Sequence, residues 1–283
     1  MNADLHCHSS HSDGVLTPAA LAERAAAHGV QLWALTDHDN LAGLAEARER
    51  ASALGMNFID GVEISVTWND QTVHIVGLGI DPLDEVLVQG LARVRSGRDE
   101  RALRMADALE RLGVREAYAN AMRHAGNPSL VGRAHFARVL VEQGYAGDLQ
   151  EVFRSYLVQG RPGYIAHEWT TLAQAVAWIR GAGGIAVVAH PGRYRMSGAQ
   201  IELLFHEFRA AGGEAIEVVS GSHGEAAVRN FARLARDFGF YASRASDFHA
   251  PGESPVDLGH SAALPDDVRP VWHAPALQVA HAD

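Results

Sequence analysis

The sequence predicts an α/β fold, a parallel sheet flanked by helices and interrupted by a mostly helical insertion. Three observations predict it. Short apolar segments alternate with helical patterns over residues 1–83. The same alternation resumes over residues 161–283. Between them, residues 84–160 carry helical patterns and no clear strand. Patterning alone leaves a closed barrel and a doubly wound sheet both open.

The elements follow in order. Ala3–Cys7 reads as a strand. A helix is expected over Pro18–His28, with Thr17 as its cap, Pro18 at the first helical position and Gly29 as its stop. Leu32–Leu35 reads as a strand and runs into the polar turn Thr36-Asp37-His38-Asp39. A helix over Ala42–Leu54 is stopped by Gly55. Asn57–Ile59 and Glu63–Thr67 read as extended, and Thr72–Ile80 as a strand rich in β-branched residues. The insertion offers helical patterns at Glu85–Leu112, Arg115–Ala125, Arg133–Glu142 and Leu149–Val158. After it come a helix (Leu172–Ala182), a strand (Ile185–Ala189), a helix (Ala199–Ala211), a strand (Ala215–Val219), a helix (Glu225–Phe238) and a strand (Tyr241–Ser246). The tail beyond Leu264 gives no signal.

Composition bounds the function. The chain has 283 residues, 47% hydrophobic and 20% charged, which suits a globular protein with a sizeable core. Its formal net charge of -10 argues against life on long duplex nucleic acid, which calls for a basic surface. No apolar run is long enough to span a bilayer, so no membrane partner is expected. The opening MNADLHCHSS lacks a basic segment followed by an apolar core, so no secretory signal is expected. Cys7 stands alone, which rules out an internal disulfide. Together these features favour the cytoplasm. No obligate protein partner is evident.

Sixteen histidines are many for this length, and their positions carry the chemistry. His6 and His8 lie two apart on a strand, where side chains share a face; Leu5 and Cys7 should face the other way. Asp13 follows in Ser12-Asp13-Gly14. His38 follows the second strand, Glu63 follows Gly61-Val62, and His74 sits in an apolar strand. His190 follows Ile185–Ala189, and Asp247 and His249 end the last strand. A lone histidine such as His74 is ordinarily a satisfied core residue. A histidine or carboxylate at nearly every strand end is a different matter, because parallel strand ends converge on one rim. Imidazole and carboxylate donors suit manganese, zinc or iron. Three divalent ions held by six neutral histidines and three carboxylates would leave roughly three positive charges, a site for a phosphate ester rather than a neutral amide. His28, His124, His206, His260, His273 and His281 are expected to be structural, and His11, His167 and His223 stay open.

These motifs resemble the polymerase and histidinol phosphatase (PHP) family. The matching segments are Asp4-Leu5-His6-Cys7-His8-Ser9 with Ser12-Asp13-Gly14, Thr36-Asp37-His38-Asp39, Gly61-Val62-Glu63, His74, Ala189-His190-Pro191 and Ser246-Asp247-Phe248-His249. The resemblance implies a distorted (β/α)7 barrel at 1–83 and 161–283, with the helical insertion 84–160 covering the site. It implies three metal ions, with Mn2+ expected first and Zn2+ or Fe2+ as alternatives. His6, His8, Glu63 and Asp247 would hold one ion. Glu63 would bridge to a second, held also by His74 and His190. Asp13, His38 and His249 would hold the third. The layout, with Gly132-Arg133-Ala134-His135-Phe136-Ala137-Arg138 and Gly163-Tyr164-Ile165-Ala166-His167, is similar to stand-alone members that remove the 3′-phosphate of nucleoside 3′,5′-bisphosphates. Related members trim short RNA from the 5′ end.

The implied chemistry is attack on phosphorus by a hydroxide bridging the ions held by His6, His8, Glu63 and Asp247. A second phosphate needs a cationic partner. Arg133 and His135, at the start of an insertion helix, and Arg193, three residues beyond His190, are the candidates. His135 and Asp39 are candidate acids, Asp39 alternatively a residue that orients a ligand. Competing readings are a histidinol-phosphate phosphatase, a non-catalytic metal-stabilised module and a metal-dependent amidohydrolase.

Overall fold

The computed structural model describes residues 1–125 and 131–278. His281 lies outside them. The strands are β1 (Ala3–Asp4), β2 (Leu32–Leu35), β3 (Asn57–Trp68), β4 (Gln71–Leu78), β5 (Thr170–Thr171), β6 (Ile185–Val188), β7 (Ala215–Val219) and β8 (Tyr241–Arg244). Seven of them follow the order β1-β2-β3-β4-β6-β7-β8, and short β5 pairs with β3. The ends of this path join. Leu5 donates its N–H to the Arg244 carbonyl at 3.1 Å, Asp247 to His6 at 2.9 Å and His8 to Phe248 at 2.9 Å. The result is a distorted (β/α)7 barrel.

The expected parallel sheet is corrected at one strand. β4 runs antiparallel to both β3 and β6. The cause is local: Asn69 and Asp70 take φ of 45° and 60° between Trp68 and Gln71, the backbone of a tight hairpin turn. Asn and Asp tolerate that region better than other non-glycine residues. The two extended pieces expected before the turn merge into the single strand β3. The reversal has a functional result. His74, near the start of β4, reaches the same rim that the parallel strands reach with their C-terminal ends.

The helices on the barrel are α1 (Pro18–Ala27), α2 (Leu44–Ala53), α3 (Glu85–Ser96), α8 (Leu172–Gly181), α9 (Gly198–Ala210) and α10 (Glu225–Phe238). Thr17 caps α1, accepting the Ala20 N–H at 3.2 Å, and Pro18 occupies the first turn. The insertion continues through α4 (Arg98–Glu110), α5 (Ala117–His124), α6 (Arg133–Glu142) and α7 (Leu149–Val152), whose last turn widens into a π-turn to Leu157. The single helix expected over Glu85–Leu112 breaks at Gly97. A Cβ there would lie 2.3 Å from the His167 ring, so only glycine allows that close passage.

Three apolar layers hold the parts together. Leu5, Leu32, Ile59, Leu78 and Val187 fill the barrel, and Val271, Ala274 and Leu277 of the tail pack among them. Leu277 abuts Gly79, just past the end of antiparallel β4, so the tail closes the barrel end opposite His74. Fully burying such a leucine contributes about 1.5–3 kcal/mol. The layer between sheet and helices includes Leu87, Leu91 and Val94 of α3 together with Val176 and Ile179 of α8. Helices α4–α7 carry a core of their own, built on Met105, Leu109, Phe136, Leu140 and Leu157. No helix among the described residues is long and apolar enough to cross a membrane.

Candidate metal centre

The nine residues expected to ligate metal meet at the rim. His6 and His8 follow β1. Leu5 packs inside the barrel and Cys7 in the outer layer, so the strand alternation slips between them. That corrects the expectation that Leu5 and Cys7 share a face. Regular pairing stops after Asp4, and the loosened backbone lets both imidazoles aim at the rim. Gly14 sits so close under this segment that a Cβ would lie 2.1 Å from the His8 carbonyl oxygen. His190 and Asp247 follow β6 and β8 with φ of 28° and 55°. Such left-handed conformations cost a non-glycine residue about 1–3 kcal/mol and persist only where the surroundings impose them.

Glu63 is the hub, fully buried. Its Oε2 lies 3.2 Å from His6 Nε2, 3.3 Å from His8 Nε2 and 2.9 Å from His38 Nδ1. Its Oε1 lies 2.9 Å from His74 Nδ1 and 3.0 Å from His190 Nε2. Asp247 Oδ1 stands 3.6 Å from His6 Nε2 and 3.4 Å from His8 Nε2. Asp13 Oδ1 stands 3.3 Å from His249 Nε2, and its Oδ2 3.8 Å from His38 Nε2. The donors form four overlapping groups: His6, His8 and Glu63; His6, His190 and Asp247; His38, Glu63 and His74; and His8, Asp13, His38 and His249. The expected partition into three sets is therefore not sharp. His6, His8, His38 and Glu63 each belong to two groups.

These residues fit divalent ions. Asp13 Oδ1, Glu63 Oε2, His38 Nδ1 and His74 Nδ1 are buried yet make no hydrogen bond among the described residues. Glu63 Oε2 stands at hydrogen-bonding distance from several ring nitrogens but not at hydrogen-bonding angles. Unsatisfied buried polar atoms are costly, and donors that crowd together without bonding each other suit a cation placed among them.

The electrostatics agree. Burial would raise Glu63, but the imidazoles of His38, His6 and His74 hold its carboxyl well below the usual range. Burial likewise opposes Asp247, which Arg193 and His6 pull well below that range. Asp13 is held low against burial by His249 and His38. In return, His8 is pushed up to about 10: burial lowers it, and the adjacent carboxylates of Asp247 and Glu63 outweigh that. His190 falls to about 4, chiefly from burial. Three anionic carboxylates thus converge, and protons on neighbouring rings offset them.

Surrounding side chains lock this arrangement. Asp37 accepts from Ser9 N at 2.7 Å and from Ser12 Oγ at 2.6 Å, which organises the loop before Asp13. Asp39 is fully engaged with Ser65 N at 2.8 Å, Ser65 Oγ at 3.0 Å and Arg98, so it ties β3 to α4 and has no free oxygen to act as an acid. His223 accepts the Gly192 N–H at 3.0 Å and braces the turn carrying Arg193. Sequence reasoning missed Glu217 on β7, whose Oε1 lies 2.6 Å from His6 Nδ1. Its signal was readable: a carboxylate in Ala215–Val219, a strand buried along its whole length.

Above the cluster opens a cavity of about 600 Å³. Arg193 lines it, ion-paired with Asp247 Oδ2. Arg133 lines it from the first turn of α6, with its guanidinium 6.0 Å from the Phe153 ring centre. Three further arginines on its wall were not foreseen. Arg98 pairs with Asp39, and Arg138 pairs with Glu253 at 3.0 Å. Arg101 lies 5.4 Å from the Trp169 ring centre and, among the described residues, bonds only the Ile165 carbonyl. Neither Arg101 nor Arg133 has a carboxylate partner among the described residues. Burial, with Arg133 and Arg98 nearby, pushes Arg101 down to about 9, and burial lowers Arg133 too.

His135 is a correction. It does not line the cavity. Its Nδ1 accepts the Gly132 N–H at 3.0 Å and caps α6, and burial pushes the ring down to about 4. Its Nδ1 is thus committed to the helix end, and its Nε2 is buried without a hydrogen-bond partner among the described residues.

Known proteins share this architecture. A PHP domain model matches residues 4–180. A 3′,5′-nucleoside bisphosphate phosphatase of Chromobacterium violaceum is 52% identical, over 96% of this chain and 95% of its own. A 5′-3′ exoribonuclease of Haemophilus influenzae is 40% identical, over 95% of this chain and 97% of its own. A solved Chromobacterium violaceum amidohydrolase with bound sulfate and no metal superposes with a TM-score of 0.93 at 52% identity, over 96% of this chain and 95% of its own. A solved Bifidobacterium adolescentis protein assigned to the metal-dependent phosphoesterases gives 0.79 at 27% identity, over 95% of this chain and 92% of its own. The barrel, the rim cluster and these matches together establish that the chain belongs to the PHP domain family.

Proposed function

We propose that the chain is a metal-dependent phosphoesterase that removes the 3′-phosphate from nucleoside 3′,5′-bisphosphates such as 3′,5′-adenosine bisphosphate. One observation carries the reading. A single cavity is lined both by residues of the histidine–carboxylate cluster and by Arg101 and Arg133, two guanidinium groups without carboxylate partners among the described residues. A cluster alone suits any phosphomonoester. A second cationic wall, with Arg101 buried and Arg133 half-buried, suits a substrate with a second phosphate. The 52% identity to a nucleoside bisphosphate phosphatase supports the same choice.

In this reading His6, His8, Glu63 and Asp247 hold one ion, Glu63, His74 and His190 a second, and Asp13, His38 and His249 a third. The ions, Mn2+ being the first choice, would acidify a water and neutralise charge on the phosphoryl oxygens. Arg193 is assigned the oxygens of the 3′-phosphate. Arg101 and Arg133 bind the distant 5′-phosphate, and that anion relieves the cost of burying them. The aromatic faces of Trp169 and Phe153 give the nucleoside apolar walls. The segment 84–160, with α4–α7 on their own core, acts as the cover that keeps bulk water from the reacting centre. The enzyme is assigned to the cytoplasm, where nucleotides are found.

The same site is proposed to trim short RNA from the 5′ end, supported by the 40% identical exoribonuclease. A 5′-phosphate in the arginine pocket would set the register for cutting one nucleotide in. Histidinol phosphate is disfavoured. Its ammonium needs a carboxylate, and among the described residues the one acidic group on the cavity wall outside the cluster, Glu253, is engaged by Arg138.

A substrate panel tests the reading. With Mn2+, 3′,5′-adenosine bisphosphate should be cleaved to AMP and phosphate with a far higher kcat/KM than 3′-AMP or histidinol phosphate, and chelation should abolish the activity. Equal rates on mono- and bisphosphates would contradict it.

A further inference from the structure

Glu217 stands outside every metal-binding motif, yet it touches two of the proposed ligands at once. It is 1% exposed. Its Oε1 lies 2.6 Å from His6 Nδ1, and its Oε2 accepts the backbone N–H of His190 at 2.6 Å. The two histidines follow different strands, His6 after β1 and His190 after β6; β7 pairs with β6 on one side and with β8 on the other, and β8 joins the segment after β1. The pairing of β7 with β8 slips by one residue between Glu217 and Val219, the signature of a bulge. Bulges of this kind re-aim side chains beside functional sites.

Each bond has a definite consequence. A carboxylate can only accept, so His6 must carry a proton on Nδ1, and Nε2, which faces Glu63 and Asp247, is the nitrogen left for a metal ion. His190 has a φ of 28°, a conformation that needs external support, and its N–H ends on Glu217. Its Nε2 then meets Glu63 Oε1 at 3.0 Å.

We propose that Glu217 is a positioning residue that presents His6 and His190 together to two neighbouring ions, by fixing the His6 tautomer and the His190 backbone with one carboxylate. This inference rests on the metal reading above. It explains why a carboxylate is buried in β7 with no lysine or arginine paired to it among the described residues. Partners of this type outside the ligand sphere typically set metal affinity within about 10–100-fold.

Glu217→Gln is the incisive variant. Its amide can still accept the His190 N–H, and it fills the same volume. Its NH2 group, however, faces His6 Nδ1 and demands the opposite tautomer, which puts a proton on the nitrogen aimed at the metal. Metal-stripped Glu217→Gln should therefore melt within a few degrees of the parent. Its calorimetric affinity for Mn2+ should fall by about 10–100-fold. In saturating Mn2+, kcat should fall while KM for the bisphosphate stays near the parent value. Parent-like Mn2+ affinity in a folded Glu217→Gln would overturn the inference. A parent protein that bound no Mn2+ would overturn both this inference and the metal reading. Should Glu217→Gln fail to fold, the parent decides: 15N NMR of the protein loaded with diamagnetic Zn2+ should show His6 bound to the ion through Nε2 and protonated on Nδ1, and the opposite arrangement overturns the inference.

Discussion

Two walls line the cavity, and they are built on different principles. The barrel wall is made of short side chains at strand ends. Glu63, His6 and His8 are fully buried, each is held by neighbours, and the strained backbones at His190 and Asp247 fix where the donors point. The insertion wall is made of long side chains. Arg101 and Arg133 reach in from α4 and α6, helices that pack on a separate core. The first wall suits chemistry, which tolerates little displacement of the reacting groups. The second suits binding, where a flexible guanidinium fork can close on a phosphate. The difference suggests a division of labour: the barrel sets kcat, and the insertion sets which phosphoester is accepted.

The largest expected effect tests the barrel wall. His8→Ala or Asp247→Ala should lower kcat by more than about 100-fold, beyond the scale of changes outside the ligand sphere, with KM far less affected. Equilibrium dialysis should show fewer Mn2+ ions retained per chain.

The next effect tests the insertion wall. Arg133→Ala or Arg101→Ala should raise KM for the bisphosphate by about 10–100-fold, the worth of a charge-assisted bond, and change the monophosphate KM only a few-fold. Equal losses on both substrates would dissolve the division between the walls.

A smaller effect concerns pH. Metal-free His8 is raised to about 10 from an ordinary 6.5 by Asp247 and Glu63 against the opposing effect of burial. A raised folded value means that its stabilisation is complete below about 6.5 and is lost as pH climbs towards about 10. Mn2+ must displace that proton, so Mn2+ affinity should rise over the same range. The gap in Tm between Mn2+-loaded and chelated protein should therefore widen from pH 6 to pH 8. A gap that narrowed would contradict the electrostatic account.

The smallest effect concerns how the two walls are joined. Arg138 on α6 bonds the Asp13 carbonyl at 3.0 Å and Glu253 at 3.0 Å. Glu253 is partly exposed, so Glu253→Ala should cost only about 1 kcal/mol of stability. Amide exchange should quicken in α6 and not in the barrel strands.

The two walls also differ in how far the sequence reveals them. The barrel wall is legible because its residues obey rules of spacing: two apart in His6 and His8, two apart in Asp247 and His249, and at strand ends throughout. The antiparallel turn at Asn69 and Asp70 was not legible, because an isolated β-branched run does not state its direction. The insertion wall is mostly illegible. Arg98 and Arg101 look like the charged face of any surface helix, and only the packing of α4 beside Trp169 turns them inward. His135 misled for the complementary reason. A histidine at the start of an insertion helix reads as a phosphate partner, but its Nδ1 serves the end of the helix. Glu217 lay between these cases, since a carboxylate inside AIEVV signals a buried partner without naming it.

The most direct test of the central claim is anomalous diffraction at the manganese edge from crystals holding Mn2+ and a non-hydrolysable 3′,5′-bisphosphate. The account predicts manganese peaks among His6, His8, Glu63 and Asp247, among Glu63, His74 and His190, and among Asp13, His38 and His249. It places the 3′-phosphate at those ions and the 5′-phosphate against Arg101 and Arg133. A rim without manganese, or a 5′-phosphate lying away from both arginines, would contradict it.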